Sequence, residues 1–265
     1  MLATLITSAV IALLDPREGK GPPAKEELAA ITERGRDLAG YDAAAWHASD
    51  AVQAKAPKKG AVVRSIARKA DKGWMVAFGR MDQARDKFLI AFEATQGENA
   101  EQFEVKEFDP PKEDGGFFRS SARAIDVALG DFKGERRPYN VAVLPAEEGQ
   151  FWVYLVPAPT RPGVWPIGGD ARYLVSRDGS KVVGKRRLHK SVIEKEAPKG
   201  DPQKPVAGIH THVLADTPED TDVFHVLTRK PAVPELIATG KFVFVVEPDG
   251  AIKYLGTAEE VLKKK

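Results

Sequence analysis

The chain has 265 residues, 43% of them hydrophobic, with 40 basic against 38 acidic side chains and a formal charge of +2. That length admits one large domain or two small ones, and the balanced charge offers no field for drawing in nucleic acid or an anionic membrane, so no nucleic-acid partner is expected. The absence of cysteine excludes a disulfide framework, a catalytic thiol and Cys-ligated zinc together.

Residues 2–14 (LATLITSAVIALL) carry no charge. This is the length of a signal-peptide core and falls short of the roughly 20 residues of a membrane-spanning helix. Residues 1–23 are therefore read as a signal-like apolar segment and a Gly/Pro-rich linker. An exported protein, periplasmic or secreted, is expected, touching the membrane only through this segment if it is uncleaved. No basic residue precedes the run, and a cytoplasmic protein with a buried N-terminal helix or strand is the alternative. The folded part is placed at 24–265, with a possible sub-boundary near 134–138.

Apolar residues Leu28, Ile31, Leu38, Tyr41, Ala45 and Val52 recur at helical spacing over 25–54, with Gly35 and Gly40 as possible breaks between two helices. The period then shortens. Residues 62–66, 74–78, 87–92 and 103–108 read as four antiparallel strands in a meander. Phe118, Ala122, Ile125, Leu129 and Phe132 give an amphipathic helix to cover that sheet. Segments 139–144 and 151–156 form a hairpin across Glu147-Glu148-Gly149. Residues 160–170 (TRPGVWPIGGD) read as a rigid irregular loop, with Trp165 as a core plug or a ligand platform.

Segments 172–175 and 181–189 flank Ser176-Arg177-Asp178-Gly179, where Asp-Gly is a hairpin signal. After a charged loop come a strand at 208–213, a helix at 217–229, a hairpin of 242–246 and 251–255, and a short helix opened by Thr257-Ala258-Glu259-Glu260, a capping box. Strand clusters alternating with single helices predict an α+β fold of mainly antiparallel sheets with a helical N-terminal segment and covering helices.

The chemistry concentrates late in the chain. Of the five histidines, His189, His210, His212 and His225 fall in one stretch and only His47 lies apart. Residues two apart on a strand share a face, so His210 and His212 present two imidazoles together, a ready pair of metal ligands. Thr217 suits a helix N-cap and Pro218 the first helical position, which brings Asp220 near the histidines. His189, ending the preceding strand, offers a further ligand, and the donor set suits zinc or another borderline divalent ion.

His210-Thr211-His212 with Thr217-Pro218-Glu219-Asp220 resembles the zinc motif of the JAMM-type metalloproteases (the MPN or JAB domain), in which H-x-H on a strand is followed by S-x-x-D at a helix start. The resemblance covers the last fifth of the chain. It implies that His210, His212 and Asp220 bind zinc, that Thr217 replaces the serine supporting the reaction intermediate, and that a peptide or isopeptide bond is hydrolysed. In such chemistry zinc lowers the pKa of a bound water to roughly 7 and a glutamate takes its proton. That glutamate is not assigned, since Glu148 sits at a hairpin tip and Glu93 far upstream. The alternative is a non-catalytic exported or envelope protein whose polar cluster binds a partner or ligand, with Asp222 and His225 only a helix-surface pair.

Three other motifs are read as bland. The run 185–190 (KRRLHK) reads as a solvated edge strand. Trp46-His47-Ala48-Ser49-Asp50 cannot converge as a triad from consecutive helical positions. Gly168-Gly169-Asp170 lacks the following helix of a phosphate-cradling loop.

Overall fold

Helix α1 (Lys25–Gln53) runs unbroken through both glycines at which the sequence predicts a break. The computed structural model, which describes residues 21–196 and 207–263, shows why they are there. A Cβ on Gly35 would lie 2.4 Å from Val223 Cβ and 2.6 Å from the Asp220 carbonyl oxygen, and one on Gly40 would lie 2.9 Å from the Trp74 ring. These are close-approach points for neighbouring elements rather than breaks. The signal-like segment expected at 2–14 lies outside the described residues.

The buried face of α1, including Leu38, Tyr41, Ala44, Ala48 and Val52, packs on an antiparallel meander. Its strands are β1 (Arg64–Lys69), β2 (Trp74–Met81), β3 (Phe88–Gln96) and β4 (Phe103–Asp114), in spatial order β1-β2-β3-β4. Helix α2 (Phe117–Asp131) buries Phe118, Ala122, Ile125 and Ala128 between this sheet and a second one. Leu129, expected on that face, is 43% exposed.

The second sheet has the order β5-β6-β8-β9, from β5 (Tyr139–Pro145), β6 (Phe151–Pro157), β8 (Ala171–Val175) and β9 (Val182–Arg187). Both expected hairpins are present, and every pairing in the sheet is antiparallel. The stretch read as an irregular loop contains β7 (Val164–Gly168), which pairs with β10 (Val192–Glu196), itself inside the stretch read as a charged loop. A two-stranded ribbon leaves each strand a free edge, so Pro166 is tolerated without an N–H, and the prolines mask the strand in the sequence. Val164 and Ile167 are core residues there, while Trp165 is half-buried.

The C-terminal part is a fourth sheet, order β11-β12-β13-β14, from β11 (Gly208–Thr211), β12 (Glu235–Ala238), β13 (Phe242–Val246) and β14 (Ile252–Thr257). Strands β11 and β12 are parallel and joined through α3 (Asp220–Thr228), and the remaining pairs are antiparallel. The four-residue strand β12 was not anticipated. Helix α4 (Ala258–Lys263) opens on the expected box: Thr257 N–H donates to Glu260 Oε2 (2.8 Å) and Glu260 N–H to Thr257 Oγ1 (3.2 Å). The molecule is thus an α+β fold. Among the described residues no helix is long and apolar enough to cross a membrane.

A smaller apolar cluster holds this unit to the start of α1. Leu28 and Ile31 pack with Val223, Val226, Ile237, Phe242, Phe244 and Val246. Alanine at position 35 would add intrinsic helix stability of roughly 1 kcal/mol over glycine. The contact with Val223 predicts the opposite outcome. Gly35→Ala is expected to destabilise the protein by about 1–3 kcal/mol, the cost of overpacking. Urea denaturation decides it, and a gain in midpoint would refute the close α1–α3 crossing.

Candidate metal centre

Four buried side chains from three segments meet at one point: His189, just past the end of β9, His210 on β11, His212, one residue beyond it, and Asp222 in the first turn of α3. One ligand atom from each lies within 4.8 Å of all the others, so the group could hold a metal ion. The Nε2 atoms of His189 and His212 are 2.9 Å apart, and those of His210 and His212 are 3.1 Å apart. Asp222 Oδ1 is 3.0 Å from His210 Nε2 and 3.2 Å from His189 Nε2, while Oδ2 is 3.2 Å from His212 Nε2.

Each imidazole is held by its other nitrogen. His212 Nδ1–H donates to the Thr217 carbonyl (2.9 Å), an oxygen that can only accept, so the Nδ1 must carry the proton. His189 Nδ1–H donates to Asp170 Oδ1 (2.7 Å) and His210 Nδ1–H to Glu235 Oε1 (2.9 Å). All three Nε2 atoms therefore face the same point. Carboxylates and carbonyls that fix the outer nitrogen are the usual support of metal-ligating histidines.

Local sequence explains how these supports arrive. Gly168 (φ +78°) and Gly169 (φ +67°) take left-handed backbone angles and lie against the segment that follows β9: a Cβ on Gly168 would be 2.5 Å from the Ser191 carbonyl oxygen, and one on Gly169 2.3 Å from Val192 Cγ2. That close seat delivers Asp170 to His189. The Gly-Gly-Asp motif is thus a carboxylate-presenting turn, not a phosphate loop. At the edge strand, a Cβ on Gly208 would sit 1.7 Å from Glu235 Oε2, so only glycine leaves room for the acid that anchors His210. Glu235 is also held by Lys195 and by Arg229 Nη1 (2.9 Å).

The start of α3 differs from the expectation. The sequence predicts Thr217 as the cap and Asp220 beside the histidines, but the N-cap is Glu219 and the acid that meets the histidines, in the group that could hold an ion, is Asp222. The Thr217 carbonyl is spent on His212 Nδ1 rather than on a helical N–H, so the helix begins later. The capping box also aims the ligand: Glu219 N–H donates to Asp222 Oδ2 (2.6 Å), and the Asp222 backbone returns to the Glu219 carboxyl. Asp220 points elsewhere. Its carboxylate takes Arg34 Nε (3.0 Å), the Tyr154 hydroxyl (2.8 Å) and Arg172, which itself lies over the Trp152 ring.

The electrostatics follow from burial and these partners. Burial opposes charge on His189, yet Asp170 and Asp222 outweigh it and raise the pKa well above the ordinary 6.5. His210 is also raised, with burial overcome by hydrogen bonds to Asp222 and Glu235. Burial would raise Asp222, but His212 and His189 hold it well below the usual carboxylate range. Glu235 falls to about 2 against its burial because His210, Lys195 and Arg229 bond to it. Burial pushes Glu219 up to about 8 despite Arg186, and drives His225 down to about 4, so that ring is neutral.

The residues missed by sequence reasoning are Asp170 and Glu235 behind the rings and Asp222 in the group that could hold an ion; Asp222 and His225 are not a solvent-exposed pair, for Asp222 is 1% exposed. The chain matches no protein-family model, no curated protein and no solved structure. Two amide substitutions separate the two acids. Asp220→Asn strands Arg34 and Arg172 and is expected to cost about 3–5 kcal/mol in chemical denaturation while leaving zinc-induced stabilisation in place. Asp222→Asn should abolish that stabilisation; the converse pattern would restore Asp220 as the ligand.

Proposed function

We propose that this protein binds a divalent metal ion of the zinc class through Nε2 of His189, His210 and His212 and a carboxylate oxygen of Asp222. The carrying observation is the convergence of the Nε2 atoms of three imidazoles and a carboxylate in a buried space, each imidazole held from behind at its Nδ1. Four electron-pair donors so close repel one another unless a cation lies among them. A tetrahedral site with bonds near 2 Å places its ligand atoms ~3.3 Å apart; adjacent donors here are 2.9–3.2 Å apart and the whole group lies within 4.8 Å, so a small inward shift of one donor closes it on an ion. Three imidazoles and one carboxylate, without thiolate, suit zinc or a similar borderline ion.

The role we assign to the ion is to organise the fold. The ligands come from the segment after β9, from β11 with the residue beyond it, and from α3, so an ion clamps the C-terminal unit to the end of the second sheet. Hydrolysis of a peptide or isopeptide bond, as the JAMM resemblance implies, needs an open coordination position and a free carboxylate base. Here His189 supplies a fourth protein donor, and the nearby buried Glu219 is engaged by Arg186 and by the Asp222 amide. These features support a closed, resident metal over a hydrolytic one.

Protein prepared without a histidine tag and stripped with chelator is expected to take up about one zinc per chain by elemental analysis, with stabilisation of about 4 kcal/mol once free zinc exceeds its Kd a thousandfold. No uptake and no thermal shift would sink the proposal. The pH dependence reverses between the two forms. Without metal, the raised values of His189 and His210 mean that their contribution is complete below the unfolded value of 6.5 and is lost as pH rises through the folded values. With metal, protons compete for the same nitrogens, so the zinc-induced rise in Tm grows from about pH 6 to about pH 8. Melting curves with zinc and with chelator at both values test this sign.

A further inference from the structure

A second polar site lies away from the histidines, where both hairpin turns read from the sequence meet the start of α2. The turn after β8 is pinned there: Gly179 (φ +75°) rests on α2 so closely that a Cβ would be 2.0 Å from the Ser120 carbonyl oxygen. The β5–β6 turn comes in beside it, and a Cβ on Gly149 (φ +74°) would meet Arg177 Cδ and Nε at 3.2 Å. Between them is a cleft of about 650 Å³ lined by Arg119, Ser120, Arg177 and one acid, Asp178, with the apolar rings of Phe117 and Phe151, whose centroids are 5.8 Å apart.

Two guanidiniums border this cleft. Arg119 Nε is buried without a hydrogen-bond partner. Two further arginines have a buried, unpartnered Nε, but Arg137 and Arg229 bond acceptors through their other nitrogens. Among the described residues neither Arg119 nor Arg177 forms an ion pair. The acids at hand are engaged with other groups: Asp178 Oδ1 accepts from the hydroxyls of Ser176 (2.7 Å) and Ser180 (2.9 Å) and from Ser180 N–H (3.1 Å), and Asp114 Oδ1 accepts the N–H groups of Gly116, Phe118 and Arg119. An arginine pair presents the planar forks that recognise carboxylate and phosphate.

We infer that this cleft binds a small organic anion, a carboxylate or phosphate group carried on an apolar or aromatic body, with Arg119 and Arg177 holding the anion and Phe117 and Phe151 the body. The site is independent of the metal centre. Isothermal titration of the full chain at low salt with phenyl phosphate, benzoate, inorganic phosphate and benzyl alcohol tests it. Phenyl phosphate or benzoate should bind, more tightly than inorganic phosphate, while neutral benzyl alcohol does not; the relative affinities of the two aryl anions tell phosphate from carboxylate. Arg119→Gln and Arg177→Gln are each expected to weaken binding at least tenfold, roughly one charge-assisted hydrogen bond. Neither should alter zinc uptake, and the exposed Arg177 serves as the test should the Arg119 variant fold poorly. Absence of binding by both aryl anions at about 10 mM, far above the Kd such contacts confer, or unchanged affinity in the Arg177 variant, would overturn the inference.

Discussion

Three imidazole lone pairs and a carboxylate brought together out of water are mutually repulsive, and the structure around them is arranged to keep them together. Every ring is fixed by its outer nitrogen, each from a different acceptor: Asp170, Glu235 and the Thr217 carbonyl. Only a shared cation, metal or proton, turns that repulsion into attraction. In the metal-free chain the raised pKa values of His189 and His210 express this, since protons occupy the place a divalent ion would take.

The acidic start of α3 distributes the load. A helix N-terminus tolerates several carboxylates because the macrodipole and the free N–H groups favour negative charge. Here three of them serve three different cationic or donor groups. Glu219 pairs with Arg186 from β9 and closes the capping box, Asp220 gathers Arg34 from α1 and Arg172 and Tyr154 from the second sheet, and Asp222 turns to the histidines. One turn of helix is thus tied to α1, to the second sheet and to β11. The glycine crossing at Gly35 and Val223 lets α1 come close enough for Arg34 to reach Asp220.

Much of the architecture was legible as periodicity. The meander of β1 to β4, the covering helix α2, the two hairpins of the second sheet and the terminal capping box follow from local alternation, helical spacing and turn chemistry. Where reading failed, the local signal was overridden by packing. Gly35 and Gly40 look like breaks to a propensity argument but are close approaches to Val223 and Trp74. Strands β7 and β10 were hidden, one by prolines that a two-stranded ribbon tolerates, the other by its charged residues. Strand β12 is only four residues long and gave no alternation to detect.

For the site, the sequence by itself determined which donor types are on offer. A chain without cysteine can offer a borderline cation only imidazoles and carboxylates, and the H-x-H spacing places His210 and His212 on one face of an extended segment, since the strand period is two. It could not say that this face is the buried one, as it is, with Ile209, Thr211 and Val213 turned outward. Only the tertiary structure decided which acid meets the histidines and what stands behind each ring. That choice depends on where α3 begins, which is set by a carbonyl borrowed by His212, and on partners 12 to 33 positions apart that share no local pattern: Asp170 and Asp222 with His189, and Asp222 and Glu235 with His210. Long-range contacts of that kind leave no periodic trace in a single chain.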